Sequence, residues 1–341
     1  MSLINLKDLL NNAKQNKYAV GAFNITNLAS IDYMVDAAKE QQSPIILQVA
    51  EIHLRYFALE DIAPAIISAA KKADIPICVH LDHGLSFPTI IRAIRAGFTS
   101  VMYDGSSHPI DENIQTTKEI VKIAKSVGVS VEGEIGHIGG GESVGESLKE
   151  GGVANKELFT KVEEAVRFYN ETGIDALAVA IGNVHGFYKG EPELDFDRLI
   201  QIRDAVPLPL VLHGGSGISD DDFKKAISLG ICKINFYTQA SVAAMDEVKK
   251  YLKEHPDATS FPDLVAKGME GFKATVKERL EVFGSKGMCA PEKTLCLSCE
   301  DRTCGFADPR FKPSARTVSY SDLIEEISRK VISNIKHSDL K

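Results

Sequence analysis

The sequence lacks the marks of a nucleic-acid-binding protein and of a membrane protein. Among 341 residues, 39 are Lys or Arg and 47 are Asp or Glu, which gives a formal net charge of −8 at pH 7. Proteins that bind the phosphate backbone usually carry a basic surplus instead. No apolar run approaches the roughly 20 residues of a membrane span, and no basic region followed by an apolar core opens the chain. We therefore expect a cytoplasmic protein with neither nucleic acid nor membrane as a partner.

Cysteine is scarce, and its six occurrences are unevenly spread. Cys78 and Cys232 lie in apolar strand candidates, where we expect them to pack in the core. The other four fall in a segment rich in Pro and Gly and are Cys289, Cys296, Cys299 and Cys304. Their C-x6-C-x2-C-x4-C spacing leaves open a structural Zn²⁺ site and an unligated cysteine patch in a reducing compartment, with an iron–sulfur cluster as a less favoured third interpretation.

Apolar runs of strand length alternate with amphipathic helix patterns along most of the chain. Apolar residues three and four apart mark the helices, and Asn27, Asp111 and Ser219 are candidate helix caps. The strand candidates are residues 18–23, 44–49, 76–81, 100–103, 130–135, 175–181, 208–212 and 232–236. Eight strands, each followed by a helix, predict an α/β fold of the (β/α)8 TIM barrel type. A doubly wound open sheet is the alternative, but no G-x-G-x-x-G follows the first strand.

Two stretches depart from this alternation. Residues 139–153 contain six glycines after the fifth strand, which predicts a mobile loop that closes over a site. Residues 285–341 hold the cysteine-rich segment and a terminal helix candidate, Ser321 to His337. The predicted organisation is a barrel over residues 1–284 and a C-terminal extension over residues 285–341 that packs on it.

Histidines follow three of the predicted strands, at the ends where a parallel barrel gathers its functional groups. His83 ends the third strand region, His185 follows the sixth strand and His213 the seventh. Any one of them alone would be interpreted as an ordinary buried residue. Three neutral imidazoles with an open fourth position, however, are the ligand set of a catalytic zinc site.

Strand alternation limits how many residues near His83 can share one site. In a regular strand the side chains of His80 and Asp82 face one side and that of His83 the other. We therefore interpret Asp82 as an acid or base rather than a metal ligand. His80 is interpreted as a packing residue or one that contacts a ligand from behind, and direct ligation by His80 is a less favoured alternative.

Carboxylates also lie near the ends of strands four and five. Glu132 and Glu134 are two residues apart and share one face of the fifth strand. Either an ion pair or a nearby divalent cation would compensate two such charges. Asp104 and Glu134 are the candidates for a second or alternative metal position.

Glycine-rich and polar turns follow the last two strands, where barrels often bind phosphate through backbone N–H groups. Gly214, Gly215 and Ser216 follow strand seven, and the residues 235–238 follow strand eight. A lone Gly-Gly-Ser is usually just a turn. Two such turns on adjacent strands predict a phosphate site.

Two long motifs resemble those of the class II, metal-dependent ketose-bisphosphate aldolases. Residues 80–83, His-Leu-Asp-His, are similar to the family's H-x-D-H signature, and residues 132–142 fit its E-x-E-x-G-x-x-G-G-x-E signature. The resemblance covers about residues 1–285. It implies the same barrel, a homodimer or homotetramer, and reversible cleavage of a ketose 1,6-bisphosphate, fructose or tagatose, to dihydroxyacetone phosphate and an aldehyde such as glyceraldehyde 3-phosphate.

The resemblance also implies a role for each candidate residue. Asp82 would exchange a proton with the substrate's C4 hydroxyl, and Glu142 on the glycine-rich loop would move a proton at C3 of dihydroxyacetone phosphate. The metal ligands would be His83, His185 and His213 for the catalytic Zn²⁺, with Asp104 and Glu134 at the alternative position. The triose phosphate would bind at Gly186, Lys189, Gly214, Gly215, Ser216, Asn235 and Thr238. A monovalent cation is a further candidate cofactor.

Two other functions stay open at this point. A class I aldolase forms an imine with a lysine, and Lys233 is the only lysine within the eight strand candidates. A non-catalytic barrel subunit that supports a partner aldolase would have lost zinc ligands or Asp82, and this chain has kept them.

The chain departs from the family pattern after two strands. Family members read N-x-D-T or N-x-A-T after strand eight, where Tyr237 takes the third place here. After strand two, the fructose enzymes' small S-x-G-A stretch is replaced by a bulkier, charged segment that includes His53 and Arg55. Both departures would fall on the aldehyde side of the site. A different ketose 1-phosphate, contacted by His53 or Arg55, is therefore the alternative substrate.

Overall fold

The strands of the protein close into one barrel in the computed structural model, which describes residues 2–138 and 154–289. The strands are β1 (Val20–Asn24), β2 (Ile45–Ala50), β3 (Ile77–Gly84), β4 (Ser100–Tyr103), β5 (Ser130–Ile135), β6 (Ala176–Val179), β7 (Leu210–Leu212) and β8 (Ile231–Asn235). Each strand pairs in parallel with the next along the chain, and β8 pairs with β1. The prediction of a TIM barrel is confirmed, and the alternative prediction of a doubly wound open sheet is wrong.

A helix follows each strand on the outside of the barrel, and one further helix, α1 (Leu6–Asn16), precedes β1. The others are α2 (Leu28–Glu40), α3 (Leu59–Lys72), α4 (Phe87–Arg95), α5 (Ile110–Ser126), α6 (Val162–Thr172), α7 (Phe196–Ala205), α8 (Asp220–Ser228), α9 (Thr238–Glu254) and α10 (Phe261–Val282). The side chains of Asn27 and Ser219 accept hydrogen bonds from the first turns of α2 and α8, as predicted for caps. The prediction for Asp111 is wrong, because α5 is capped by Pro109 and Asp111 lies inside the first turn, where an acidic side chain favours the helix dipole.

The N-terminal end of the barrel is closed by α1. Its apolar face, with Leu6, Leu9 and Leu10, packs against side chains that point into the barrel, among them Cys78 and Cys232. Both cysteines are buried, and burial raises the pKa of the Cys78 thiol to about 12 and that of Cys232 to about 11. They are core residues with little thiolate character.

Helix α10 completes the outer ring between α9 and α2. After it, the chain stays on the barrel: the Ser285 and Ser43 hydroxyl oxygens lie 2.8 Å apart, and the N–H of Cys289 donates to the carbonyl of Gln42. Among the described residues, no helix is long and apolar enough to cross a membrane. Glu142, the terminal helix candidate, and the cysteines 296, 299 and 304 lie outside the described residues, so the domain division at residue 284 and the cysteine site stay predictions.

Candidate active site

A one-residue bulge at the end of β3 brings two consecutive side chains to the mouth of the barrel. Between Leu81 and Gly84, β3 has one more residue than the segment of β4 that pairs with it. His83 takes a φ of 41° there, in the left-handed region. Only glycine fits at position 84, because a Cβ there would lie 2.4 Å from the carbonyl oxygen of Met102. Asp82 and His83 therefore reach one site, which the regular alternation expected from sequence does not allow.

The three strand-end histidines converge beside this bulge. Nε2 of His83 lies 2.7 Å from Nδ1 of His213. The ring of His185 stands edge-on to both, with centroid distances of 4.8 Å to His83 and 5.9 Å to His213. One nitrogen from each ring lies within 4.8 Å of the other two, a separation that suits three ligands of one metal ion.

Two carboxylates determine which nitrogens of these rings carry hydrogen. Asp104 Oδ2 lies 2.8 Å from Nδ1 of His83, and Glu132 Oε1 lies 2.9 Å from Nε2 of His213. An ionised carboxylate only accepts hydrogen bonds, so these two ring nitrogens donate. Nε2 of His83 and Nδ1 of His213 then face each other with their lone pairs. A cation between them relieves that repulsion, and carboxylates that orient ligating histidines are a common feature of metal sites.

Unpaired buried atoms surround the same point. His185 Nε2 and Glu134 Oε2 have no hydrogen-bond partner among the described residues. Burial, reinforced by the charge of Asp104, raises the pKa of Glu134. Glu134, Asp104 and His83 form a second group whose ligand atoms lie within 4.8 Å of one another. Buried polar atoms are normally paired, so the donor set fits a metal ion at either group.

Glu132 belongs to a buried ion pair. Both of its oxygens accept hydrogen bonds from Lys233 Nζ, at 3.0 and 2.9 Å, inside the barrel. Burial opposes ionisation, but the charge of Lys233 and the hydrogen bond from His213 lower the pKa of Glu132 to about 2. His80 lies next to this pair, and its Nδ1 is 2.9 Å from the hydroxyl of Ser100. The sequence left two interpretations open for the carboxylates of the fifth strand, an ion pair or a nearby divalent cation. Glu132 fits the first, because it pairs with Lys233, and Glu134 fits the second.

Asp82 is held by three side-chain amides. Asn24 and Gln48 donate to Oδ2 at 3.1 and 2.9 Å, and Asn235 donates to Oδ1 at 2.8 Å. Burial alone would raise its pKa, but electrostatic interactions with neighbouring groups, His83 foremost and Lys233 next, hold it below the usual value. Asp82 is therefore a fixed, ionised acceptor. The sequence analysis did not identify Asn24 and Gln48. The available signal was a polar residue directly after the first apolar run and another inside the second.

A pocket that is open to solvent lies beside Asp82. Its lining comprises Asn24, His53, Asp82, His185, Gly186, Gly214, Gly215, Ser216, Asn235, Phe236, Tyr237 and Thr238. Six of the seven predicted phosphate-site residues are among them, while Lys189 is exposed and does not line the pocket. The pocket thus joins the histidine cluster to the two polar turns.

The turns after β7 and β8 have features that favour an anion, and we call them the cradle. Gly214 has a φ of 62°, and a Cβ there would lie 2.1 Å from the carbonyl oxygen of Val184. α9 begins at Thr238, and its Gln239 N–H donates to the hydroxyl of Ser216. Close backbone approach and a helix N-terminus favour a phosphate group.

The segment after β2 contains a structural residue, an exposed residue and a residue that lines the pocket. Glu51 accepts hydrogen bonds from the N–H groups of Leu85 and Ser86 and so fixes the start of α4. Arg55 is exposed, with its guanidinium 5.2 Å from the ring centroid of Tyr56. His53 is buried and lines the pocket. Of the two residues expected on the aldehyde side, the structure brings only His53 to the site.

Known proteins resemble this chain in sequence and in fold. Residues 4–288 match the family model described as fructose-bisphosphate aldolase class-II. A fructose-bisphosphate aldolase of Geobacillus stearothermophilus is 41% identical over 295 residues, which are 85% of this chain and 100% of that protein. A 6-phospho-5-dehydro-2-deoxy-D-gluconate aldolase of Bacillus subtilis (strain 168) is 40% identical over 296 residues, 86% of this chain and 99% of that protein. The crystal structure of the YdjI aldolase from Escherichia coli K12 has a TM-score of 0.72 and 36% identity, over 84% of this chain and 99% of that chain.

Proposed function

Since the chain belongs to the class II fructose-bisphosphate aldolase family, we propose that it cleaves a ketose 1,6-bisphosphate, fructose or tagatose, reversibly to dihydroxyacetone phosphate and an aldehyde. As a class II aldolase it is a lyase. The observation that carries the proposal is the convergence of His83, His185 and His213, with one nitrogen of each ring within 4.8 Å of the other two, on a pocket that Asp82 lines.

The proposed zinc ligands are His83, His185 and His213, with Asp104 and Glu134 at an alternative position beside His83. A zinc ion held there would supply Lewis acidity, which stabilises the negative charge that forms when the C3–C4 bond breaks. The unpaired nitrogen of His185 and oxygen of Glu134 support this donor set.

Asp82 is the proposed base for the C4 hydroxyl. Its carboxylate takes the hydroxyl proton, the C4–O bond becomes the carbonyl of the aldehyde, and the electrons of the C3–C4 bond remain on the triose as an enediolate. The amides of Asn24, Gln48 and Asn235 keep the carboxylate ionised and in place. Glu142 is the proposed proton donor to C3, and it lies outside the described residues.

The turns after β7 and β8 are proposed to hold the C1 phosphate of the substrate. Gly186, Gly214, Gly215 and Ser216 border the same pocket as Asn235 and Thr238. Anchoring the phosphate there presents the reacting carbons to the histidine cluster and Asp82, which lowers the entropic cost of the reaction.

The imine-forming alternative has little support in this geometry. Lys233 is fully buried and donates to both oxygens of Glu132, so its amine has no lone pair or space for a carbonyl carbon. The non-catalytic alternative is disfavoured by Asp82, which is retained and held by three donors. The oligomeric state, the monovalent cation, and the cytoplasmic location stay predictions.

The test is release of dihydroxyacetone phosphate from fructose and tagatose 1,6-bisphosphates, measured side by side on zinc-loaded and chelator-stripped protein. We expect release only with zinc, and the faster substrate identifies the preferred C4 epimer. Equal release after stripping would contradict the metal-dependent reaction. No release from either sugar by zinc-loaded protein would favour a different ketose 1-phosphate or a non-catalytic subunit.

A further inference from the structure

Two aromatic rings in the pocket wall have no role in the proposed aldol cleavage. His53 lies in the 3₁₀ turn Glu51–Arg55 after β2, and Tyr237 directly precedes α9 after β8. Their ring centroids are 5.0 Å apart, with the planes inclined by 57°. Since β1 lies between β2 and β8 in the barrel, the two turns meet across the end of β1. The contact closes one side of the pocket.

His53 is buried without a partner for one of its nitrogens. The residue is 4% exposed, and its Nδ1 has no hydrogen-bond partner among the described residues. Burial lowers the pKa of His53, and the charge of Asp82 offsets this only in part. A neutral imidazole has one donor and one acceptor nitrogen, which suits a hydroxyl group better than a phosphate. A buried polar atom that faces a substrate pocket is expected to pair with the substrate.

The position of His53 identifies the part of the substrate that it faces. The C1 phosphate cradle lies on β7 and β8, and Asp82 marks the C4 hydroxyl in the proposed reaction. Ala50, the last residue of β2, pairs with Asp82, so the turn that carries His53 starts beside the base. The ring contact with Tyr237 places His53 at the edge of the cradle, on the pocket wall that Asp82 also lines. His53 is therefore placed toward the carbons that leave as the aldehyde.

We propose that His53 determines specificity for the aldehyde by hydrogen-bonding, through Nδ1, to the hydroxyl on the carbon next to the aldehyde carbonyl. Tyr237 is a positioning residue, because its ring packs on the imidazole and holds it toward the pocket. The inference rests on the proposed function. It assigns selection of a hydroxylated aldehyde to two side chains that differ from the family pattern.

The test uses the condensation direction with zinc-loaded full chain and saturating dihydroxyacetone phosphate. D-lactaldehyde, L-lactaldehyde and propanal share a three-carbon skeleton, and only the lactaldehydes carry the hydroxyl in question. We expect His53→Leu to lower the ratio of kcat/KM for the preferred lactaldehyde over propanal by about tenfold, chiefly through KM. His53→Gln keeps a hydrogen-bonding group at this place and should retain most of the ratio.

A matched control is available on the surface. His255 is exposed and stacks on Tyr251 at a centroid distance of 4.5 Å, which is a histidine–tyrosine pair outside the pocket. His255→Leu should leave the ratio unchanged. Tyr237→Phe keeps the ring and should keep the ratio. Tyr237→Ala should lower it, and adding that change to His53→Leu should lower it no further, because Tyr237 acts through His53.

Thermal melting and zinc content establish that each variant is folded and loaded. An unchanged ratio in folded His53→Leu overturns the inference. If His53→Leu does not fold, an unchanged ratio in Tyr237→Ala overturns it. Failure of the proposed function has a different signature: the wild-type protein would neither condense any of the aldehydes nor exchange the C3 hydrogen of dihydroxyacetone phosphate with deuterated solvent.

Discussion

Glu132 and His213 are joined inside the barrel by a hydrogen bond of 2.9 Å between Oε1 and Nε2. The same carboxylate holds the buried Lys233 on both of its oxygens. One side chain thus neutralises an interior charge and also orients an imidazole of the histidine cluster. Replacing Glu132 should therefore have two separable effects, one on the stability of the fold and one on the affinity for metal.

Glu132→Gln should lower the free energy of unfolding by about 3 kcal/mol, because Lys233 stays buried without its counter-charge. Zinc affinity should fall by about 10- to 100-fold, because His213 loses the carboxylate that fixes its orientation. Urea denaturation of chelator-treated protein measures the first effect, and a competition titration with a zinc indicator measures the second.

The double variant Glu132→Gln/Lys233→Met is the control for this prediction. Removing the stranded charge should restore most of the stability while zinc affinity stays low. Recovery of both properties would show that Glu132 acts on the metal site only through the fold.

Asp82→Ala should reduce turnover of the ketose bisphosphate by at least about 100-fold, because the proton acceptor for the C4 hydroxyl is gone. Zinc content should not change, since Asp82 is bound by amides and is outside both groups of candidate metal ligands. Steady-state kinetics and elemental analysis of the same preparation check both parts. Asp104→Ala is the comparison and should lower zinc affinity; near-normal turnover of Asp82→Ala would remove its proposed role.

Gly214→Ala should raise the KM for the ketose bisphosphate by about tenfold, because the added Cβ meets the carbonyl oxygen of Val184 at 2.1 Å and displaces the cradle. Gly190→Ala is the matched control, with a φ of 101° and nothing within 4 Å of the added carbon. That change should cost about 1–2 kcal/mol of stability from backbone strain alone. Similar KM values in the two variants would argue against a close approach of the Gly214 backbone to the phosphate.

Glu40→Gln should weaken the contact between α2 and α10. Glu40 accepts hydrogen bonds from Lys273 and Lys277, each at 2.7 Å, and these lower its pKa from 4.5 to about 2. A depressed pKa in the folded state stabilises the protein above pH 4.5, and the contribution is lost as the pH falls toward 2. At pH 7 the loss should stay below about 1 kcal/mol, because the Glu40 side chain is exposed and the two lysines are only partly buried. Urea unfolding at several pH values should show the difference shrinking below pH 4.5; a difference independent of pH would contradict the assignment.

The sequence was sufficient for the barrel and for the place of the histidine cluster. Alternating apolar runs and helix faces are local signals, and parallel strands in a closed barrel bring His83, His185 and His213 to one end once the strands are identified. The different roles of Glu132 and Glu134 could not be predicted from the sequence. They depend on Lys233, which lies three strands away around the sheet from these carboxylates.

The geometry at the end of β3 was also beyond the reach of sequence patterns. The alternation of a regular strand separates Asp82 from His83, and only the pairing of β3 with β4 reveals the extra residue. The amides that hold Asp82 come from three other strands, β1, β2 and β8, so their convergence is a property of the closed sheet. Asp111 failed as a predicted cap for a simpler reason, because acidic residues favour the whole first turn of a helix.

The bulge in β3 also limits how this active site can diverge. Asp82, the proposed base, and His83, one of the proposed metal ligands, are neighbours on a single kinked stretch of backbone, so neither can be repositioned without moving the other. Variation in substrate must then arise in turns that are free of this linkage. The turns after β2 and β8, which carry His53 and Tyr237, are where a new substrate range can be acquired while the bond-breaking machinery is inherited intact.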